Sequence, residues 1–204
     1  QRETQAILTL NALAGNINQA GGMWAIEDET DMDWPVVPQD KPAADGLRQP
    51  RFDGAGSGPY VNARYLLNRL SGGLEGEGPY PLQVLMGARA NPCHELPDVQ
   101  RVKAALARIP FIVSFSSYHD ETAAMADLLL PDHIYLERYE DVPIRAGLAM
   151  QAVGLCRPVV SPQFNTRHLG ETLIAMGKTL GGTVADAFAW ESYESCLEET
   201  LADK

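Results

Sequence analysis

The stretch "PLQVLMGARANP", Pro81 to Pro92, sets a run of apolar residues against a glycine and then an Asn-Pro. Leu82 to Met86 suits a buried strand, Gly87 leaves bare main chain at its end, and Asn91-Pro92 opens a turn. A strand that stops on open backbone and then offers amides and an asparagine is suited to a nucleotide. Whether this is a fold or a single loop depends on whether the neighbouring segments repeat the pattern.

They repeat it twice. "PDVQRVKAALARI" places Val99, Val102, Ala105 and Leu106 on one helical stripe, with Pro97 and Asp98 suited to its start. "PFIVSF" is then a continuous apolar run of the kind found in parallel sheets covered on both faces. "HDETAAMADLLLP" reads as a short helix capped near Asp120, followed by a third apolar run, Leu128 to Leu130, closed by Pro131. Strand, helix, strand, helix, strand predicts an α/β fold with a Rossmann-like parallel sheet flanked by helices. Such sheets have right-handed crossovers and bind ligands beyond the carboxyl ends of the strands.

Outward from this centre the signals are weaker. Residues 3–14 read as a helix, with Ile7, Leu8, Leu10 and Leu13 at helical spacing and Gly15 as its stop, before the loop "GNINQAGG". Residues 23–59 read as an irregular Pro/Gly-rich insertion, and "YVNARYLLNRL", Tyr60 to Leu70, as a short amphipathic helix ended by Gly72 and Gly73. "RPVVSP" reads as an edge strand flanked by proline. The C-terminal part, 163–204, reads as helical, with Leu169, Leu173, Ile174 and Met176 facing inward and Gly181-Gly182 as a stop. "WESYESCLEETLADK" reads as a last amphipathic helix. The whole is expected to form a single α/β domain, 1–204, and "QRETQAILTLNAL" opens like a helix already under way, as a fragment of a larger subunit would.

Composition narrows the function. Apolar residues make up 45% and charged residues 21%, which is globular rather than disordered. With 16 basic against 27 acidic residues the net charge is −11, the wrong sign for a nucleic-acid surface. No run approaches the roughly 18 apolar residues of a membrane helix, so no direct membrane insertion is expected. Cys93, Cys156 and Cys196 show no CxxC spacing, so no iron–sulfur or zinc site is expected within these residues. Neither GxGxxG, nor GxxxxGK[ST], nor GxSxG occurs, which removes the dinucleotide fingerprint, the P-loop and the hydrolase elbow. His94, His119, His133 and His168 are scattered; His133, beside Asp132 at a strand end, is the best proton-handling candidate. Asp127, inside "MADLLLP", reads as a structural acceptor for loop amides.

Three carboxyl ends should lie side by side: Gly87 to Pro92, Ser114 to Ser117, and Pro131 to His133. Gly87 admits a ligand to main chain, and Asn91 can both donate and accept toward a purine edge or ribose. Arg89 suits a pyrophosphate, and the serine run, ahead of a helix, suits phosphate oxygens. The same residues also suit plain turns and caps, and the composition alone leaves both readings open.

The residues resemble a known family. "LNALAGNINQAGG", "VLMGARANP" and "IPFIVSFSSYHDETAAMADLLLPDHIYLERYED" occur in this order in the large catalytic subunits of molybdopterin oxidoreductases, the dimethyl sulfoxide reductase family. "ETAxxADLLLPxxxxLER" is the most specific run, and the resemblance spans roughly residues 5–180. "LPDHIYLERYED", with "RPVVSPQFNTRHLGETLIAMGKTLG" behind it, is most similar to the branch of polysulfide, thiosulfate and tetrathionate reductases and quinone-linked respiratory complexes.

What the resemblance implies is a central α/β domain on which one guanine dinucleotide of a molybdenum or tungsten bis(pterin) cofactor lies across the strand ends. Gly87, Ala88, Arg89, Asn91 and Pro92 would hold the nucleotide. Ser114, Phe115 and Ser116 would line the guanine or ribose, and Asp132 would bound the pocket. Gly15 to Gly22 would approach the pterin side or a neighbouring domain. Arg89 and Ala90 depart from the acidic or polar residues common there. The resemblance further implies partners: the remaining domains of the large subunit, an iron–sulfur electron-transfer subunit and a membrane quinone-interacting subunit, commonly in the periplasm. A non-catalytic scaffold of a respiratory complex and a free-standing nucleotide module are the rival expectations.

Overall fold

The computed structural model describes residues 2–24, 39–61, 63, 65, 66, 69, 78–144 and 152–201. The helix expected over Tyr60–Leu70, its glycine stop, and positions 25–38 of the insertion lie largely or wholly outside them.

The centre is a parallel three-stranded sheet of β1 (Val84–Gly87), β2 (Phe111–Ser114) and β3 (Leu128–Leu129), in the order β1-β2-β3. The register pairs Val84 with Phe111, Met86 with Val113 and Gly87 with Ser114, and on the other side of β2 it pairs Val113 with Leu128 and Ser114 with Leu129. The ladder runs on past the strands, since the Phe115 amide donates to the Gly87 carbonyl at 2.8 Å and Leu130 to Ser114 at 2.9 Å. All three strands therefore finish at one end, as expected.

Between β1 and β2 the chain makes a one-turn helix, α3 (Pro92–Glu95), and then α4 (Val99–Leu106). Asp98 caps α4 by accepting the Arg101 amide at 3.3 Å. The periodicity places Val102, Ala105 and Leu106 against the sheet, where all are buried. Val102 and Leu106 join Cys93, Ile109 and Ile112 in the main core, with Leu82, Leu85 and Leu96 around it. Asp127 accepts the Ile112 amide at 2.8 Å, the structural role its apolar surroundings suggest. The helix expected before β3 is only a 3₁₀ turn, Ala123–Met125. Asp120 holds that turn by accepting the Thr122 and Ala123 amides at 3.1 and 2.8 Å.

Three peripheral expectations are corrected. "RPVVSP" forms no strand; instead β4 (Glu140–Ile144) pairs antiparallel with β5 (Ala152–Cys156), immediately before it. The insertion holds a regular helix, α2 (Lys41–Leu47), because Asp40 caps the Ala43 amide at 2.9 Å and Pro42 sits in the first turn, where no amide is needed. Met176 is exposed rather than inward, since it lies on the far side of its helix from the buried Ile174. In α1 (Arg2–Leu13) the expected helix forms, yet Ile7, Leu8, Leu10 and Leu13 are all exposed. No helix among the described residues is long and apolar enough to cross a membrane.

Toward the C-terminus, α5 (Leu169–Leu180), α6 (Gly182–Ala187) and α7 (Tyr193–Leu201) pack around Ile174, Gly177, Cys196 and Leu197. Gly177 is a contact glycine: a Cβ there would lie 2.4 Å from the Phe188 ring. Alanine inside a helix ordinarily stabilises by about 1 kcal/mol relative to glycine. At Gly177 the sign inverts, and Gly177→Ala is expected to lose about 1–2 kcal/mol through overpacking. A lowered thermal midpoint of the full-length polypeptide checks this; an unchanged or raised midpoint means Phe188 swings aside freely.

Candidate functional site

Where the strands end, an open cleft of about 310 Å³ forms. Its walls come from three segments that the sheet brings together: Arg89 to Asn91 after β1, Phe115 to Tyr118 after β2, and Asp132, Ile134 and Tyr135 after β3. Arg138 and Asp120 line it as well. Tyr118 and Tyr135 are the most exposed of these rings and stand at its lip.

One side of the cleft is an ion-pair chain. Asp132, only 2% exposed, sits against Arg138, whose Nη1 donates to Asp132 Oδ2 at 2.9 Å and to the His133 carbonyl at 2.7 Å. The same guanidinium donates from Nε and Nη2 to Glu140 Oε2 at 3.0 and 2.9 Å. Glu140 Oε1 in turn accepts from Arg89. The second oxygen of Asp132 takes the His133 and Leu169 amides at 2.9 and 2.8 Å, so the buried carboxylate is hydrogen-bonded on both sides. Arg89 reaches Glu140 from a left-handed backbone, φ 52°, uncommon for a side-chain-bearing residue.

Burial pushes the Glu140 carboxyl up, but the hydrogen bond and charge of Arg138, with Arg89 behind it, prevail and hold it below its ordinary value. His168, which caps α5, lies beyond this chain. Its Nδ1 accepts the Gly170 amide at 3.1 Å, so the neutral ring carries its proton on Nε2, a buried atom without a hydrogen-bond partner. Burial lowers its pKa, against the pull of Asp132 and with the help of Arg138. Its ring lies 4.4 Å from that of Tyr193, whose phenol burial and the charge of Asp141 push up to about 12.

Both lowered groups work in one direction. The unfolded chain takes up a proton at His168 below pH 6.5 and at Glu140 below pH 4.5, before the folded chain does. The stability these two groups contribute is thus full above pH 6.5 and is lost as pH falls through each lowered folded value. Thermal unfolding against pH checks this, and His168→Asn is expected to flatten the upper part of the curve; an unaltered curve removes His168 from the account.

The sequence-predicted residues divide. Arg89, Asn91, Phe115, Ser116 and Asp132 line the cleft. Gly87, Pro92 and Ser114 instead line a separate apolar cavity of about 200 Å³ between the sheet and α4, and Ala88 lines neither. Arg89 is engaged by Glu140. Asn91 is likewise engaged, accepting from Thr122 at 2.7 Å and donating at 2.7 Å to Glu121, whose carboxyl that donated bond holds below the usual carboxylate range. The serines do not precede a long helix: Ser116 donates to Asp120 at 2.8 Å and accepts from the Tyr118 amide at 3.2 Å. His133 Nδ1 meets Thr166 at 2.7 Å. Arg138, Glu140, Asp120 and the two tyrosines carry much of the site without forming a recognisable site motif; "HIYLERYED" holds Tyr135, Arg138 and Glu140 in a charged run after the third strand, and Tyr118 and Asp120 follow the serines after the second. Among the described residues no group of His, Cys, Asp or Glu is placed to hold a metal ion.

Residues 3–178 match the family model "Molybdopterin oxidoreductase". Over 96% of its length the chain is 33% identical to a quarter (25%) of the menaquinone reductase molybdopterin-binding-like subunit of Nitratidesulfovibrio vulgaris. Over 93% it is 28% identical to 26% of the thiosulfate reductase molybdopterin-containing subunit of Salmonella typhimurium. The chain thus spans about a quarter of the length of these curated relatives. The fold also resembles acetylene hydratase from Pelobacter acetylenicus, with TM-score 0.54 and 20% identity over 65% of this chain and 17% of that one. The chain belongs to the molybdopterin oxidoreductases of the dimethyl sulfoxide reductase family.

Proposed function

We propose that residues 1–204 form one α/β domain that cradles a guanine dinucleotide end of the molybdopterin cofactor in a larger oxidoreductase subunit. The observation that carries this reading is the convergence of three strand ends on a single polar cleft in a chain of this family. At about 310 Å³ the cleft suits a nucleoside-sized group rather than a whole dinucleotide. The residues fit that group: Tyr118 and Tyr135 offer ring faces for a base, Ser116 and Ser117 offer hydroxyls, and the Arg138–Asp132 pair gives a rigid polar wall. The metal, molybdenum or tungsten, is held by residues outside this set. When bound, the cofactor supplies the two-electron redox chemistry, while these residues bind and orient it.

The whole enzyme would then serve an anaerobic respiratory chain in the periplasm, beside an iron–sulfur subunit and a membrane quinone-interacting subunit. The relatives from menaquinone and thiosulfate reductases support that direction. Acid release of guanylate from the purified full-length subunit, with metal analysis, tests the reading. Guanylate and metal together support it; a subunit that yields neither is a scaffold.

Gly87 gives a finer test. A Cβ there meets only the Val113 carbonyl, at an ordinary 3.9 Å, so the fold itself does not demand glycine. Because Gly87 lines the apolar cavity beside α4 and not the cleft, Gly87→Val is expected to leave both guanylate content and the thermal midpoint in place. Loss of guanylate at an unchanged midpoint would bring the nucleotide to the Gly87 main chain instead.

A further inference from the structure

The cleft is short of cations. Among the described residues that line it, Arg89 and Arg138 are basic, against Glu95, Asp120 and Asp132. Glu140, behind the wall, adds a further acid and touches both arginines. A neutral nucleoside is indifferent to that balance. The phosphate of a nucleotide is repelled by it unless one guanidinium turns to meet the charge. Which arginine can turn depends on how each is held.

Arg138 is fixed. Its side chain is 11% exposed, and Nε, Nη1 and Nη2 are all engaged, by Glu140, Asp132 and the His133 carbonyl. Arg89 is placed to move. Its side chain is 50% exposed and reaches Glu140 through Nη1 from a left-handed backbone, a conformation that clusters at ligand clamps and switches. Glu140 can also release it. Arg89 is bonded to Oε1, whereas Oε2 keeps two bonds from Arg138, at 3.0 and 2.9 Å. Parting Arg89 from Glu140 therefore leaves that carboxylate with a counterion. An ion pair half open to water contributes little, so separating it costs little.

We propose that Glu140 sets the specificity of the cleft: its carboxylate occupies Arg89 in place of a phosphate, and a nucleotide binds by drawing Arg89 from Glu140 to its own phosphate. The inference rests on the nucleotide reading of the cleft and deepens it, because the ligand class selected is a guanosine phosphate rather than guanosine. A singly charged anion gains little by exchanging one carboxylate for another. A phosphate brings more charge and more acceptor oxygens, and a guanidinium can meet two of them at once. Glu140 is thus a positioning residue, acting on the ligand through Arg89.

Equilibrium dialysis of GDP and of guanosine against the cofactor-free full-length polypeptide tests it, unaltered and as Glu140→Gln, Arg89→Gln and the double variant. Glutamine at 140 keeps the shape and an acceptor for Arg138 but drops the charge that holds Arg89. Glu140→Gln should bind GDP about fivefold more tightly, the order of one exposed ion pair, with guanosine unchanged within about twofold. Arg89→Gln should weaken GDP alone, and adding Glu140→Gln to it should then change GDP by less than about twofold, as for residues that act through one another. Arg89 is half-exposed, so its variant carries the test by itself should Glu140→Gln fold poorly. GDP affinity unmoved by either variant, a gain that guanosine shares, or a gain that survives Arg89→Gln in full would overturn the proposal while the cleft reading stands. GDP and guanosine that do not bind, or that bind undisturbed by Ala90→Trp, would remove the cleft reading and this inference together.

Discussion

Replacing Arg138 with methionine is expected to cost about 3 kcal/mol, the order found when one partner of a buried ion pair is removed. Methionine fills similar apolar volume but donates nothing. The Asp132 carboxyl group is then left in a site only 2% exposed, with two amides but no counterion. The His133 carbonyl and Glu140 Oε2 lose their donors together. The damage should be local: the His133 and Leu169 amides, both bonded to Asp132, should exchange faster, while the Phe115 amide in the sheet ladder is little changed. The double variant Arg138→Met with Asp132→Asn should recover part of the loss, because the uncompensated charge is gone. Unchanged exchange at Leu169 would show that the backbone amides alone hold Asp132.

Filling the cleft is expected to produce the largest effect on binding. Ala90 is exposed, lies at the junction of the polar cleft and the apolar cavity, and takes no part in the main core. Ala90→Trp projects an indole into space of about 310 Å³ that the proposal assigns to a nucleoside. Guanylate recovered per full-length polypeptide should fall by about half or more, since a pocket of this size cannot hold both groups. The thermal midpoint of the ligand-free protein should stay where it is, because no buried contact changes. Full guanylate content would mean that the nucleotide lies elsewhere.

The central sheet was legible because each strand is an apolar run with a punctuated end: Gly87 after β1, the serines after β2, Pro131 after β3. The β4–β5 ladder was not. "EDVPI" begins with two acids and contains a proline, and "AVGLC" contains a glycine, so neither carries the alternation that marks a half-buried strand. Which end the strands shared could be read; which groups were still unengaged there could not. Asn91 announces a donor and an acceptor, but Glu121 and Thr122, 30 and 31 residues on, take them. Arg89 announces a phosphate ligand, but Glu140 meets it from 51 residues away. Short side chains in a turn advertise capacity, and only the tertiary fold decides who uses it. The exposed Val84 and Met86 were hidden for the opposite reason: an apolar run gives the same pattern whether or not its second face is covered by these residues.

The most direct measurement is a diffraction structure of the cofactor-loaded full-length subunit. The account predicts guanosine density at the carboxyl ends of β1, β2 and β3, in van der Waals contact with Ser116, Tyr118 and Tyr135 and bounded by the Arg138–Asp132 pair. Nucleotide density on another part of the subunit, with this cleft closed by the protein's own side chains, would contradict it.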